Sequence, residues 1–434
     1  MATSTVKQQI AALFLSAISP TRRGRLRPGR AWGQGILWLA LAVPLIACGS
    51  VPPPPPEPVV TPTATDRDLQ RLDESWQTYK QRFIQADGRV IDREASDRTV
   101  SEGQAYALLR AVMADDPTAF SVVLAWSENN LGVTEDGDRV HQLWAWEWGR
   151  SDDDQWGVLD PNFASDADLD ACVALILAAR RWNQPQYLEL AQAKLADLWA
   201  LSTTPIPNRQ QLSGNRVFLP GPKAAFQTSL SQVYLNPSYL APYAFRLFAQ
   251  VDPDHDWMTL VDSSYDILEG SAPVSAVGLP GDWVLLDLAT GRYSPVDLSA
   301  AAPNLSSHYG FDAYRVWWRV ALDAALAKEP RAEAYLEEHL APLREWWETT
   351  GSIPAEIGVG GEALVEYDSP EQYGMLYAAL SQVSPEVAEQ ILTQELLPIY
   401  SRGIWKSDTA YYAQNLIWLG LYPTADLARL DWRL

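Results

Sequence analysis

A proline junction that recurs five times constrains the fold more than any other feature of the sequence. From residue 64 onward apolar residues recur at helical spacing, and strand-like alternation is scarce. Each junction stops one helical pattern and starts the next almost at once: Asp116-Pro117, Gln184-Pro185, Asp252-Pro253, Glu329-Pro330 and Ser384-Pro385. Proline ends a preceding helix and fits the first position of the next one, so each junction predicts a tight antiparallel hairpin.

The helical patterns predict twelve helices, and a sixth hairpin pairs the first of them with the last. They cover residues 68–84, 101–115, 117–131, 166–182, 185–200, 237–250, 254–270, 310–327, 331–349, 370–381, 386–396 and 408–421. Hairpins in this number, with few strands, predict an all-α fold: an (α/α)6 barrel with six inner helices and six outer helices that return.

Long segments lead into the first helix of each of the five junction hairpins, which places five helix N-termini at one end of the barrel. Polar residues concentrate there: Ser101-Glu102-Gly103-Gln104, Asp166-Ala167-Asp168, Asn236-Pro237-Ser238-Tyr239, Tyr309-Gly310-Phe311-Asp312 and Glu371-Gln372-Tyr373. Their common position predicts a polar cleft lined by helix N-termini.

The stretch from Asp160 to Trp182 illustrates this pattern best. A turn and an expected N-cap at Ser165 precede a helix that is apolar almost all round, yet Asp166, Asp168 and Asp170 occupy its first turns. Acids at a helix N-terminus also complement the helix dipole, which accounts for one or two of them. The alternative is that these carboxylates line the cleft.

The first 65 residues are read as export and tethering segments. Residues 1–48 hold six basic residues and no acid, and end in an apolar run and Leu45-Ile46-Ala47-Cys48. This layout is typical of a secretory signal, and the last four residues resemble a bacterial lipobox, whose cysteine is lipidated. An ordinary cleaved signal or an uncleaved anchor is the alternative. Residues 49–65 predict a Pro-rich tether and residues 66–434 the catalytic domain.

Charge and motif content exclude several functional classes. The net charge of −21 argues against nucleic acid as a ligand. The four histidines show no metal-ligand spacing, and no phosphate-binding glycine loop or Gly-x-Ser-x-Gly motif is present. We therefore expect no metal and no cofactor. Cys172 is expected to be a buried free thiol.

Carboxylates remain as the groups that can carry chemistry. Hydrolysis of a glycosidic bond needs one protonated carboxyl to donate and one ionised carboxylate to activate water or attack carbon. Glu102, before Gly103 and an apolar helix, suits a recessed donor; an ordinary first-turn acid is the alternative. Asp312 with Arg315 one turn on suits a base; a surface ion pair is the alternative.

Tryptophans precede the acidic stretch and offer sugar-stacking surfaces. Trp144, Trp146 and Trp148 alternate along one segment, and Trp156 follows. Such a segment is a strand or a loop with rings that face the cleft, although burial of some rings in the core is equally expected.

Several motifs, in order, resemble glycoside hydrolase family 8 over about residues 70 to 420. They are Asp87-Gly88-Arg89-Val90-Ile91-Asp92, Thr99-Val100-Ser101-Glu102-Gly103-Gln104, Ala164-Ser165-Asp166-Ala167-Asp168, Asn236-Pro237-Ser238-Tyr239, Gly281-Asp282-Trp283-Val284 and Phe311-Asp312-Ala313-Tyr314-Arg315. The resemblance implies an (α/α)6 barrel and an inverting, endo-acting hydrolase, in agreement with the hairpin count.

The resemblance also implies roles for individual residues. Glu102 looks like the proton donor, Asp312 like the base, and Asp166 like the acid that holds and distorts the sugar at the cleavage point. Arg315 looks like the residue that orients Asp312, and it is grouped with Trp146 and Tyr373 as substrate-binding. The chain departs from the family at Phe311, where a tyrosine often precedes the base, and Tyr309 and Tyr314 are not assumed to replace its hydroxyl.

The expected function is that of an exported, lipid-anchored endo-β-1,4-glucanase that acts on cellulose-like glucan. The expected partners are the polysaccharide, a membrane through the lipid on Cys48, and the cellulose synthase machinery, whose product the enzyme trims. Chitosanase, mixed-linkage glucanase and xylanase are the alternatives within the family. A non-catalytic glucan-binding lipoprotein is the alternative from another class.

Overall fold

A computed structural model describes residues 64–207, 213–296 and 305–432. The predicted signal, Cys48 and residues 49–63 of the tether lie outside the described residues. Ala64 and Thr65, assigned to the tether from the sequence, already belong to the first helix. Within the described ranges, no helix is both long enough and apolar enough to cross a membrane.

Helices dominate the chain and alternate between an inner and an outer layer. In chain order they are α1 (Ala64–Phe83), α2 (Ser101–Met113), α3 (Pro117–Asn130), α4 (Ser165–Trp182), α5 (Pro185–Ser202), α6 (Lys223–Phe226), α7 (Pro242–Ala249), α8 (Met258–Ser271), α9 (Tyr314–Ala327), α10 (Pro330–His339), α11 (Ala341–Thr350), α12 (Pro370–Val383), α13 (Pro385–Ile391), α14 (Tyr411–Leu421) and α15 (Thr424–Leu427).

Six helices form a closed inner ring, as the hairpin count predicts. In the order α2, α4, α7, α9, α12 and α14 each helix packs against the next, and α14 returns to α2. Helices α3, α5, α8, α10 and α13 pack on the outside, and α1 pairs with α14 as the sixth hairpin. The (α/α)6 barrel is confirmed.

The inner helices are buried almost all round because they face both the barrel axis and the outer layer. In α2 every residue except Glu102 is buried, and in α4 the run from Ser165 to Ala178 is wholly buried. Cys172 lies in this run as a buried free thiol, as expected. Such helices need apolar residues on every face, which explains the continuous apolar runs in the sequence.

Four of the five junction prolines occupy the start of a helix, and the fifth does not. Pro117, Pro185, Pro330 and Pro385 begin their helices. After Pro253, by contrast, the chain turns and α8 begins only at Met258. Asp252 explains the delay, because its carboxylate accepts hydrogen bonds from His255 and from the indole of Trp257 at 2.8 Å and stabilises a loop.

Three other helix predictions need correction. The helix predicted over residues 331–349 is two helices, α10 and α11, which meet at Leu340. Residues 237–239 form a short 3₁₀ turn before α7. Ser165 is not an N-cap but the first residue of α4, where its hydroxyl donates to the carbonyl of Leu219.

Small antiparallel sheets fill the long segments between hairpins, and the sequence indicates a strand only for the tryptophan segment, with a loop as the alternative. The strands are β1 (Thr99–Val100), β2 (Gly132–Glu135), β3 (Asp138–Trp144), β4 (Glu147–Arg150), β5 (Trp156–Asp160), β6 (Thr203–Pro205), β7 (Arg216–Phe218), β8 (Gln232–Leu235), β9 (Val284–Asp287), β10 (Arg292–Pro295), β11 (Tyr400–Ser401) and β12 (Ile404–Trp405). The sheet β1-β4-β5 leads directly into α2, and β8-β9-β10 lies beside the segment before α9.

Candidate active site

The predicted cleft exists at the N-terminal end of the inner ring, and Arg315 is its centre. Arg315 lies on the first turn of α9 and is buried, with 5% of its side chain exposed. One guanidinium nitrogen donates to Asp166 Oδ2 and the other to Asp312 Oδ1, at 2.8 Å for the latter. Three of the predicted residues, from two inner helices and the turn before α9, therefore meet in one ion-pair network.

Asp166 is the buried end of this network. It opens α4, its side chain is 1% exposed, and Oδ1 accepts from the backbone nitrogen of Ala167 at 2.9 Å. Arg315 also donates to the hydroxyl of Tyr106 at 3.3 Å, and the ring of Tyr239 lies 5.3 Å from the guanidinium carbon. These contacts hold the guanidinium in one plane between the two carboxylates.

Asp312 is the accessible end of the network. It lies in the turn before α9 rather than in the helix, and 33% of its side chain is exposed. The amide of Asn236 donates to Oδ2 at 3.0 Å. Burial in the cleft raises the pKa of Asp312, while Arg315 and the hydrogen bond from Asn236 oppose that rise. A hydrogen bond from the side chain of Trp283 also opposes the rise. A carboxylate that accepts these hydrogen bonds and has access to solvent is suited to take a proton from water.

Glu102 lies in the first turn of α2, and its surroundings favour the protonated carboxyl. The indole of Trp146 donates to Oε1 at 3.1 Å, and the hydroxyl of Ser101 donates to Oε2 at 3.2 Å. Burial, followed by the negative charge of Asp166, raises the pKa of Glu102 to about 7. Glu102 therefore keeps a proton near neutral pH and can donate it, as a glycosidic leaving oxygen requires.

Trp146 reaches Glu102 because the sheet β1-β4-β5 anchors it. Its carbonyl accepts from the backbone nitrogen of Ser101 at 2.9 Å, and its own nitrogen donates to Asn162 at 2.6 Å. The tryptophan segment is thus two strands, β3 and β4, joined by Ala145 and Trp146. Some of the four tryptophans belong to the core: Trp144 is fully buried, whereas 49% of Trp156 is exposed.

Tyr373 lies apart from this network. Its hydroxyl accepts from the backbone nitrogen of Ile353 at 3.0 Å and donates to Asp368 at 3.2 Å, and its ring packs against Trp347. The hydroxyl is thus held beneath the loop before α12, and the predicted sugar contact at Tyr373 stays a prediction.

Phe311 lacks the hydroxyl that a tyrosine would place there, and neither Tyr309 nor Tyr314 supplies it. The hydroxyl of Tyr309 accepts from Trp317 and from Gln372, and the hydroxyl of Tyr314 donates to the carbonyl of Ala355. Tyr412, in the first turn of α14, donates to the carbonyl of Phe311 at 2.9 Å. The backbone beside the base is therefore tied to the last inner helix.

Several residues of the cleft were not among the predicted site residues, among them Tyr106, Asn236, Tyr239 and Tyr412. Asn236 and Tyr239 belong to a polar motif that the sequence places at the cleft, but nothing local shows that they reach Asp312 and Arg315. Tyr412 lies about a hundred residues from Asp312, and its only sequence signal is its position at the start of the last inner helix. Among the described residues, no group of three His, Cys, Asp or Glu side chains is placed to hold a metal ion.

Comparisons with known proteins agree with this geometry. The sequence profile of glycosyl hydrolases family 8 matches residues 63–335. The chain belongs to glycosyl hydrolase family 8. The matched range holds Glu102, Trp146, Asp166, Asp312 and Arg315 and ends before Tyr373.

Named endoglucanases are among the relatives of this family 8 chain. An endoglucanase of Xanthomonas axonopodis pv. citri is 34% identical over 295 residues, which cover 67% of this chain and 70% of the relative. An endoglucanase of Pseudomonas fluorescens is 29% identical over 76% of this chain and 86% of the relative. The expectation of an endoglucanase-type enzyme is confirmed, and an enzyme is thus favoured over a binding protein.

A solved structure of an endo-1,4-D-glucanase from Vibrio fischeri shares the fold. It matches with a TM-score of 0.66 and 27% identity, over 80% of this chain and 93% of that chain. The match covers a larger share of the chain than residues 63–335, which the family profile matches.

Proposed function

We propose that this family 8 enzyme cleaves β-1,4-linked glucan internally by an inverting mechanism. One observation carries the proposal: Glu102, whose pKa is raised to about 7 by burial, lies at the same cleft as Asp312, which accepts a hydrogen bond from the guanidinium of Arg315 at 2.8 Å. Glu102 donates its proton to the leaving oxygen. Asp312 takes a proton from the attacking water. Asp166, fixed by Arg315, binds the sugar at the cleavage point.

The inverting assignment rests on the resemblance to family 8 and is supported by the surroundings of Asp312. A retaining enzyme needs its second carboxylate to attack carbon, whereas an inverting one needs it to hold water. Asp312 is partly exposed, and its Oδ2 accepts a hydrogen bond from the amide of Asn236. This arrangement favours a base that binds water. Proton NMR of the first product formed tests this: inversion gives the α-anomer first.

The proposal on substrate and donor is tested by reducing-end release from carboxymethylcellulose, with chitosan and xylan in parallel. The full chain should act on the cellulose derivative, and Glu102→Gln should lose at least about 10²-fold in kcat, as expected when a general acid is removed. Glu135→Gln, an exposed glutamate on β2, is the matched control and should keep full activity.

Other outcomes have clear meanings. If the enzyme prefers chitosan or xylan, the proposed substrate is wrong and that polymer takes the place of glucan. Inactivity of the folded chain on all three polymers would contradict the proposal, and Phe311→Tyr would then be the first variant to examine.

We also propose that the enzyme is exported, held at a membrane by a lipid on Cys48, and trims glucan during cellulose synthesis. The basic and apolar N-terminal segment, the lipobox-like Leu45-Ile46-Ala47-Cys48 and the Pro-rich stretch support this proposal. Cys48→Ser should move the protein from the membrane fraction to the soluble fraction. Deletion of the enzyme should alter the exported glucan, and unchanged glucan would contradict the trimming role.

A further inference from the structure

A second group of titratable side chains lies beside Asp312, and the reaction described above does not use it. It consists of Asp282, His308 and Glu356. The backbone nitrogen of Asp282 donates to the carbonyl of His308 at 2.8 Å, and residue Tyr309 pairs with Ile357 next to Glu356. Three chain segments distant in sequence thus meet directly beneath the turn that carries the base.

Asp282 contacts the backbone of that turn. Its Oδ1 accepts from the nitrogen of Ala313, the residue after Asp312, at 2.8 Å. Gly310 lies equally close, because a Cβ there would be 2.8 Å from Oδ2 of Asp282 and from Nε2 of His308. The turn from Gly310 to Ala313 therefore rests on Asp282, which fixes the backbone position of Asp312.

The positive charge in this region is not shared equally between the two carboxyl groups. Arg315 and Asn236 both donate to Asp312. The basic side chain nearest Asp282 among the described contacts is the imidazole of His308, whose Nε2 is 3.5 Å from Oδ2. Burial lowers the pKa of His308, although Glu356 and Asp312 oppose this, so the imidazole is neutral near pH 7.

The same asymmetry appears in the titration of the pair. Burial, and after it the charge of Asp312, raises the pKa of Asp282 well above its usual range, while Arg315 opposes this rise. The other ionisable groups that face one or both members of the pair include Asp166, Glu356, Tyr239, Tyr309, Tyr314 and Tyr412. Glu356 raises the pKa of Asp282, and Asp166 raises that of Asp312, so both acids disfavour a second charge on the pair. The first proton lost belongs to Asp312, which has the guanidinium.

We propose that Asp282 is a positioning residue that keeps its proton beside Asp312, so that the negative charge of the pair stays on the base. The proposal rests on the function assigned to Asp312 above. It gives Asp282 two tasks: to hold the Ala313 nitrogen, and to remain neutral where a second carboxylate would repel the first. An asparagine can perform both tasks, whereas an alanine can perform neither.

Infrared difference spectroscopy on the full chain tests the protonation directly, without substrate. At a pH well above 7, Glu102 and Asp168, each with a pKa of about 7, are mainly ionised. The carbonyl stretch of a protonated carboxylic acid should be present in the native protein and lost in Asp282→Asn. Asp152→Asn, at an exposed position, should leave the band unchanged. An identical band in native protein and Asp282→Asn would overturn the proposal.

Kinetics separates positioning from a merely structural role. In Asp282→Asn, kcat/KM should stay within about threefold of the native value, and the acid limb of its pH profile should not move. In Asp282→Ala, kcat should fall about tenfold with little change in KM, as expected for one lost buried hydrogen bond. An acid limb moved to lower pH in Asp282→Asn would mean that Asp282 is charged in the active form, and would overturn the proposal.

The two proposals fail in different ways. The infrared band reports on Asp282 whether or not the protein cleaves glucan. Inactivity of the native protein on every polymer contradicts the proposed function and leaves the spectroscopic result standing. A missing Asp282 signal in an active enzyme contradicts only the proposal on Asp282.

Discussion

Arg315 is the residue on which the cleft depends most, because it alone joins Asp166 to Asp312. Its planar guanidinium presents donors in a fixed fork, so one side chain can hold two carboxylates at a set separation. An ammonium group is a point charge and cannot reproduce that fork. The geometry of the base therefore depends on the identity of the cation and not only on its charge.

Arg315→Lys should lower kcat by about 10²-fold, because a misplaced base loses most of the benefit of general-base catalysis. KM should change less than kcat. Steady-state kinetics on a soluble glucan measures both. Arg292→Lys, at an exposed position of β10, is the control and should behave as the native enzyme. A lysine variant with native kcat would show that the fork is unnecessary.

The pH dependence of activity follows from Glu102. The donor must be protonated, so kcat/KM should fall as pH rises through about 7, the pKa of Glu102. Activity should also fall at acid pH as Asp312 gains a proton, at a pH above that of an ordinary aspartate. A pH profile on soluble glucan should be bell-shaped, and full activity well above pH 7 would contradict the role of Glu102.

The same raised pKa affects stability. In the unfolded chain Glu102 titrates near 4.5, and in the folded protein near 7. The folded state therefore prefers the protonated form, and stability falls as pH rises between these values. Glu102→Gln should raise the free energy of unfolding by about 1–3 kcal/mol above pH 7 and change it little below pH 4.5. Urea unfolding at both pH values measures this, and equal effects at both would contradict it.

Among the helices, a buried ion pair between α4 and α9 links two sides of the inner ring. Both guanidinium nitrogens of Arg319 donate to Asp170, at 2.8 and 2.9 Å, and Arg319 also donates to the hydroxyl of Tyr243 on α7. The side chains are 0% and 2% exposed. Asp168 is bound elsewhere, since it pairs with Lys194 at 3.3 Å and accepts from the backbone nitrogen of Trp144 at 3.2 Å. Of Asp166, Asp168 and Asp170, therefore, only Asp166 reaches the cleft network.

Asp170→Asn should destabilise the protein by about 3–5 kcal/mol, because it leaves a guanidinium buried without its counter-charge. The double variant Asp170→Leu/Arg319→Met should cost less than that single change, since it removes both charges. Chemical denaturation of the three proteins gives the comparison. A double variant that is less stable than Asp170→Asn would show that the pair itself contributes strongly to stability.

At the level of elements, the sequence predicts the hairpins better than the segments between them. The inner helices appear as long apolar runs that are too long for strands, and four junction prolines, Pro117, Pro185, Pro330 and Pro385, mark where the next helix begins. Strands of two to seven residues, half-buried in mixed loops, have too few residues to show a period of two. The helix predicted directly after Pro253 was wrong because the side chain of Asp252 stabilises a loop there instead.

The same distinction holds in the site. Glu102, Asp166 and Asp312 lie in local motifs and could be found from the sequence. Asp282 meets Ala313 only through tertiary pairing, so no spacing in the chain reveals their contact.

For the molecule as a whole, the seam of the barrel lies where α1 and α14 meet α2. Arg110 is buried there with its guanidinium carbon 4.2 Å from the ring of Tyr79 and 4.9 Å from that of Trp418. Burial lowers the pKa of Arg110 to about 9. The indole of Trp418 donates to the carbonyl of Leu72 at 2.8 Å. Arg110 itself donates to the carbonyl of Gln414 at 3.3 Å and to Oδ1 of Asn415 at 3.1 Å. Aromatic faces and amide oxygens thus stabilise a cation at the closing point of the ring.

Trp418→Ala should cost about 3–5 kcal/mol, because it removes a buried ring from this seam and leaves a cavity. Trp156→Ala, which removes a half-exposed ring, should cost about 1 kcal/mol or less. Urea denaturation curves of both variants measure the difference. Similar losses of unfolding free energy in the two variants would show that the seam is no more important for stability than the half-exposed Trp156.

The seam has a consequence for the order in which the chain can fold. Leu72 and Trp418 are 346 residues apart, so the first helix emerges from the ribosome long before its partner exists. Until α14 is made, α1 lacks the helix that pairs with it in the ring, and among the described hydrogen bonds and ring contacts from outside the helix only those of Arg110 on α2 and Asp116 reach its face with Trp76 and Tyr79. Closure across so long a loop makes folding slow and late. A chain stalled before α14 should therefore stay aggregation-prone and sensitive to protease, and completion of the last hairpin should convert it to a resistant form in one step.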